Sequence, residues 1–104
     1  MGYVEAVLEV VRRIPAGRVM TYGLVAEVVA EELAARGERA RGGARTVGQV
    51  MARHGAQVPW WRVVDARGRV VPSHRERALE LLRAEGVPLT EDGSVRVREV
   101  VWWP

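Results

Sequence analysis

Residues 21–54 read TYGLVAEVVAEELAARGERARGGARTVGQVMARH, two helix-forming runs joined by a link rich in arginine and glycine. Thr21 is placed to cap a helix over about 22–36, because its hydroxyl can accept one of the free amides of the first turn. Val25, Val28, Val29 and Leu33 recur at helical spacing and mark that helix's buried face. Gly37 stops it, since only glycine turns into the left-handed region without strain. The segment 36–43 reads as an exposed, mobile connection. A second helix is predicted over 44–54, with Val47, Val50 and Met51 as its buried stripe. Arg45, Gln49 and Arg53 recur every four residues on the opposite face, with Gly48 beside them. Two helices joined by a turn, the second presenting a polar and basic face, form the helix-turn-helix pattern.

The flanks of this unit are shorter elements. Val4, Val7, Leu8 and Val11 place an amphipathic helix over 3–13, closed by the turn-forming IPAG of 14–17. RVVDARGRVV (62–71) sets two β-branched runs around a turn and predicts a hairpin or wing. SHRE (73–76) fits a capping box, with Ser73 as N-cap, for a helix over 74–85 burying Ala78, Leu81 and Leu82 and ending at Gly86. Asp92-Gly93 predicts a turn, and Val95, Val97 and the final VVWW an extended tail. The fold class is therefore mainly α with small β elements. The architecture is a winged helix-turn-helix-like domain, a single unit over 1–104, since 104 residues supply one core and not two.

Charge narrows the function. The net charge is +3, and all 16 basic side chains are arginine, a residue whose planar fork suits phosphate and stacking contacts. Residues 36–75 carry nine Arg against Glu38 and Asp65, a net of +7. The stretches 1–35 (three Arg, five Glu) and 76–104 (four Arg, six acids) are each −2. A basic middle between acidic ends is the footprint of a polyanion-binding surface. With no cysteine the chain has neither a thiol nucleophile nor thiolate ligands, and His54 and His74 lack ligating partners, so no metal or cofactor is expected. The sequence shows no secretory core and no apolar run of membrane-spanning length. The expectation is a cytoplasmic, nucleoid-associated monomer without membrane contact.

Four segments carry a resemblance: IPAGRVMTYG (14–23), ARTVGQVM (44–51), VPWWRVV (58–64) and LLRAEGVPL (81–89). In this order they resemble the C-terminal domain of the O6-alkylguanine-DNA alkyltransferases, over roughly residues 4–89. In that family the proline of the third segment is followed by the alkyl-accepting cysteine and a histidine. Here Trp60 and Trp61 occupy those positions. An indole is no nucleophile toward an alkyl ether, and dealkylation needs a thiolate. The chain is thus similar to the alkyltransferase-like proteins, which carry tryptophan in place of the cysteine.

That resemblance implies a non-enzymatic damage sensor. It would bind duplex DNA in the minor groove, flip O6-alkylguanine into a pocket walled by Trp60, and flag it for nucleotide excision repair proteins. By resemblance, Arg45 enters the base stack in place of the extruded nucleotide, and Tyr22 presses on the adjoining phosphate. Thr46, Gly48 and Gln49 complete the DNA-facing set. Tyr22, Trp60, the Val63 carbonyl, Ser73 and His74 would surround the base. Trp61 is expected to pack inside beneath the pocket, and Arg62 to be structural or phosphate-facing. Glu85, which orients the histidine in relatives, keeps a salt bridge. The Tyr22–Arg45 interval is longer than the family's and the Arg45–Trp60 interval slightly shorter. Two other classes compete. A winged helix-turn-helix transcriptional regulator without lesion specificity would read base edges from the 44–54 helix. A base-excising enzyme would need a general acid or base, for which only Asp65, His74 and Glu85 are available.

Overall fold

The structure, a computed structural model, describes residues 2–40 and 42–104. The predicted 36–43 connection therefore includes one residue, Arg41, outside the described set. The chain runs α1 (Tyr3–Arg12), β1 (Met20–Thr21), α2 (Tyr22–Ala35), α3 (Ala44–His54), β2 (Val63–Val64), α4 (Arg75–Ala84) and α5 (Val97–Val100). Short 3-10 turns cover Gly55–Gln57, Trp60–Arg62 and Pro72–His74.

Local signals place the first three helices. The Leu24 amide donates to Thr21 Oγ1 at 3.1 Å, which makes Thr21 the cap of α2. Gly37, at φ +75, turns the chain away after Arg36. Val25, Val28, Val29 and Leu33 are buried as their spacing requires. On α3, Val47 and Val50 are buried, Met51 is half-buried, and Arg45, Gln49 and Arg53 are exposed. Helices α1, α2 and α3 pack mutually around Val7, Val10, Val11, Val25, Val29 and Val47, all fully buried. Burying each such side chain contributes about 1.5–3 kcal/mol before entropy is counted.

The hairpin expected over 62–71 does not form as a pair of strands. Instead β2 pairs in parallel with β1, Met20 opposite Val63 and Thr21 opposite Val64. The DARG turn does form, with the Asp65 amide donating to Arg69 O at 3.0 Å and the Gly68 amide to Asp65 O at 2.9 Å. Yet the second run is no strand: Val70 turns into a core, and the partner that the first run takes lies 43 positions upstream, in Met20. The DARG turn is claimed by Val95, whose amide donates to Gly68 O at 2.8 Å. A Cβ on Gly68 would collide with the Val95 carbonyl oxygen, so this approach requires glycine.

The two-residue ladder divides the interior. Neighbouring strand residues point to opposite faces. Met20 and Val63 therefore enter the cluster of α1, α2 and α3, whereas Val19 and Val64 enter a second cluster with Val70, Ala78, Leu79, Leu82, Val87, Val95 and Val100.

Other expectations shift at the C-terminal end. Ser73 is not an N-cap: it sits inside the Pro72–His74 turn, α4 begins at Arg75, and no side chain caps it. Proline at 72 favours the tight turn and moves the helix start one residue on, from 74 to Arg75. Leu79 is buried and Leu81 half-buried, the reverse of the expected emphasis on Leu81. The tail is not wholly extended, because residues 97–100 coil into one helical turn before Val101 bridges Val19.

Candidate nucleic-acid interface

A cavity of about 380 Å³ opens between α3 and the 71–74 turn, along the seam of the two clusters. Tyr22, Gly48, Met51, Ala52, Gly55, Ala56, Trp60, Val71, Ser73 and His74 line it. The volume lies at the low end of the roughly 300–1,000 Å³ typical of small-ligand pockets. One wall is helical, and it is open because its residues are small. A Cβ built on Gly48 meets no atom within 4 Å.

Of the residues expected around a flipped base, the structure brings Tyr22, Trp60, Ser73 and His74 together. Val63 does not join them: it is buried in the larger cluster and paired with Met20. Gly48, expected on the DNA-facing side, lines the cavity as well. Five lining residues were not anticipated: Met51, Ala52, Gly55, Ala56 and Val71. A signal for most of them existed, since Gly48, Ala52, Gly55 and Ala56 repeat small side chains at helical spacing. Met51 packs against the larger core, as its place in the buried stripe requires, and also lines the cavity.

Trp60 is half-buried and stands edge-to-face with Trp61, with centroids 5.7 Å apart and planes at 89°. The His74 ring lies 5.7 Å from it, tilted by 57°. Tyr22, in the first turn of α2, also borders a smaller adjacent cavity with Asp65, Arg69 and Arg75. Burial, and then the nearby Asp65 carboxylate, push the Tyr22 phenol above its ordinary 10.0. It therefore stays neutral and can donate a hydrogen bond to an anionic oxygen.

Arg45 is exposed in the first turn of α3, with Thr46 half-buried beside it and Gln49 exposed one turn on. No acidic residue occupies that turn. A cation at the positive end of a helix loses about 0.3–1 kcal/mol against a neutral side chain, so nothing in the fold favours arginine there.

Beneath the cavity lies a second construction. Trp61 is half-buried, does not line the cavity, and its Nε1–H donates to Glu85 Oε2 at 2.8 Å. Arg62 donates to both carboxylate oxygens through Nε (3.1 Å each) and to Oε2 through Nη2 (2.7 Å), and its Nη1 reaches Ile14 O at 2.8 Å. The Gly17 amide donates to Glu85 Oε1 at 2.9 Å. Arg62 also lies over the Trp61 ring at 5.2 Å. Burial alone would raise the Glu85 carboxyl. The donors from Arg62, Gly17 and Trp61 outweigh it and hold the group below its ordinary 4.5. Arg62 is thus structural, as expected of its position. Glu85 keeps the expected ion pair and gains two further donors. Among the described residues no group of three or more His, Asp or Glu could hold a metal ion.

A mainly helical domain with a cavity beside an exposed basic helix, and tryptophan where a thiol would stand, defines an alkyltransferase-like protein. The chain belongs to the family described as 6-O-methylguanine DNA methyltransferase, DNA binding domain, whose model matches residues 3–87. It is 29% identical to a DNA base-flipping protein of Vibrio parahaemolyticus, over 98% of this chain and 97% of that one. Identity to a DNA base-flipping protein of Escherichia coli is 32%, over 97% of this chain and 74% of that one. Among solved structures it is similar to S. pombe Atl1 in complex with damaged DNA containing O6-carboxymethylguanine, with TM-score 0.75 and 31% identity over 98% of this chain and 95% of that one. An S. pombe ATL in complex with DNA gives TM-score 0.73 and 29% identity over the same shares.

Proposed function

We propose that the protein is a non-enzymatic sensor of alkylated DNA. It binds duplex DNA through the minor groove, extrudes O6-alkylguanine into the 380 Å³ cavity, and leaves the lesion intact for nucleotide excision repair proteins. The observation that carries this reading is Trp60. It walls the cavity formed jointly by α3 and the 71–74 turn, at the position where the resemblance puts the acceptor cysteine, in a chain without any cysteine. The base-flipping names of the relatives and the damaged-DNA complex of Atl1 support it.

Each part has a physical task. Arg45, at the exposed start of α3, fills the gap left by the extruded nucleotide, offsetting part of the few kcal/mol that unstacking costs. Neutral Tyr22 donates to the adjoining phosphate. Thr46, Gly48 and Gln49 form the surface that approaches the groove, with Gly48 small enough to keep both groove and cavity clear. Trp60 packs against the alkyl group, while Ser73 and His74 close the rim beside it. Transfer of the alkyl group has no acceptor, and the chain acts as a monomer at the nucleoid without cofactor or metal. No helix among the described residues is long and apolar enough to cross a membrane.

The deciding experiment is equilibrium binding to one duplex bearing guanine or O6-methylguanine at a single position. Digestion and base quantification follow. Preference for the methylated duplex with the methyl group fully recovered is the expected result. Equal binding, or loss of the methyl group, would overturn the reading.

A further inference from the structure

Among the described residues, nothing hydrogen-bonds the Trp60 indole, which is held by contact alone. Of its two aromatic neighbours, His74 is exposed, and no hydrogen bond from its ring is formed among the described residues. Trp61 is different. Its ring stands at 89° to that of Trp60, and that ring is pinned by the bond to Glu85 and by the Arg62 guanidinium over its face. The orientation of Trp60 therefore depends on a neighbour whose own orientation is set from α4.

We infer that Glu85 is a positioning residue for the Trp60 wall: by accepting the Trp61 Nε1–H bond it holds the ring against which Trp60 stands. The inference rests on Trp60 being the lesion wall. The Glu85–Arg62 pair would brace the fold without Trp61, since Arg62 ties the 60–62 turn to Ile14 and Glu85 ties it to Gly17. The indole bond is an additional contact, made to the ring that touches the cavity wall. Both partners are well shielded, with Arg62 16% and Glu85 13% exposed at the side chain, so the carboxylate does not exchange this donor for water freely. A glutamate at the C-terminal end of α4 faces the negative end of the helix dipole, so its place there depends on these donors. A contact wall is useful only when held within about 0.5 Å of its working geometry, which is what a pinned neighbour supplies.

The test uses Trp61→Phe, which removes the Nε1–H donor, keeps an aromatic ring, and leaves the Glu85–Arg62 pair in place. Proteins labelled with 5-fluorotryptophan are followed by fluorine NMR, with the Trp60 line assigned by its loss in Trp60→Phe. The expected result is a Trp60 line that broadens or splits while the Trp102 and Trp103 lines stay sharp. The ratio of affinities for O6-methylguanine over guanine duplex should fall about three- to tenfold, the scale of one edge-to-face pair. Trp61→His restores a ring N–H toward Glu85 and should recover part of the ratio and a single Trp60 line. A sharp Trp60 line with an undiminished ratio in Trp61→Phe would overturn the inference, as would equal impairment of the Phe and His variants. If the unaltered protein shows no preference for the methylated duplex, the lesion-wall reading fails, and the Trp60 line alone still decides whether the bond positions the ring.

Discussion

Gly48→Ala should stabilise the protein and weaken its binding to damaged DNA, two effects that a purely structural role for the residue could not separate. Gly48 lies in the middle of α3, four residues from its start and six from its end. A Cβ there meets no atom within 4 Å, so the methyl group creates no clash in the free protein. Replacing glycine by alanine in a helix interior contributes about 0.8–1 kcal/mol. For a domain of this size each kcal/mol moves Tm by about 4–8 °C, so a rise of several degrees is expected. The same methyl projects from a wall of the cavity, on the face proposed to approach the groove. Overpacking a fitted contact costs about 1–3 kcal/mol, which corresponds to a five- to 150-fold loss of affinity for the O6-methylguanine duplex. Thermal unfolding followed by circular dichroism gives the first number, and fluorescence anisotropy with a labelled duplex gives the second. Unchanged affinity in a stabilised variant would show that neither base nor groove comes near Gly48. A destabilised variant would refute the packing argument itself.

The remaining expectations concern single residues. Arg45→Ala should leave Tm unchanged or slightly raised, because it removes a cation from the positive end of α3, and should abolish the fluorescence rise of 2-aminopurine placed beside the lesion; a rise of normal size would remove Arg45 from flipping. Trp60→Ala should cost about 1–3 kcal/mol of affinity for alkylated duplex, the scale of aromatic–base contacts, with undamaged DNA bound as before; an equal loss on both duplexes would place Trp60 outside the pocket. Glu85 has a carboxyl pKa lowered on folding, so its stabilising contribution is present above the ordinary 4.5 and is lost as pH falls through the lower folded value. Tm should therefore drop on acidification below about pH 4.5, and Glu85→Gln should remove that part of the slope; a parallel slope in the variant would exclude Glu85 as its source.

The helices were legible because their determinants are local. Thr21, Gly37 and the valine spacing of 22–36 act within one or two turns, so α2 lies where its sequence places it. The same holds for α3, whose predicted span of 44–54 is the observed one. The missing thiol and the Trp60 substitution needed no structure at all. Where a residue's partner lay far away in sequence, local reading misled. VVDARGRVV has the composition of a hairpin, but Val63 and Val64 pair with Met20 and Thr21, because that ladder lets the alternating side chains fill two cores at once. Ser73 has a capping sequence, but Pro72 starts a tight turn that carries its side chain to the cavity rim. Glu85 reads as a residue left over from lost chemistry. Only the fold puts its carboxylate within 3.1 Å of the Trp61 indole, the Arg62 guanidinium and the Gly17 amide together. Capping and helical periodicity are energies of neighbouring residues and are written in the chain. Strand pairing, the seam that opens the cavity and the strut behind Trp60 join segments far apart in sequence, 68 residues between Gly17 and Glu85, and exist only once both cores have packed.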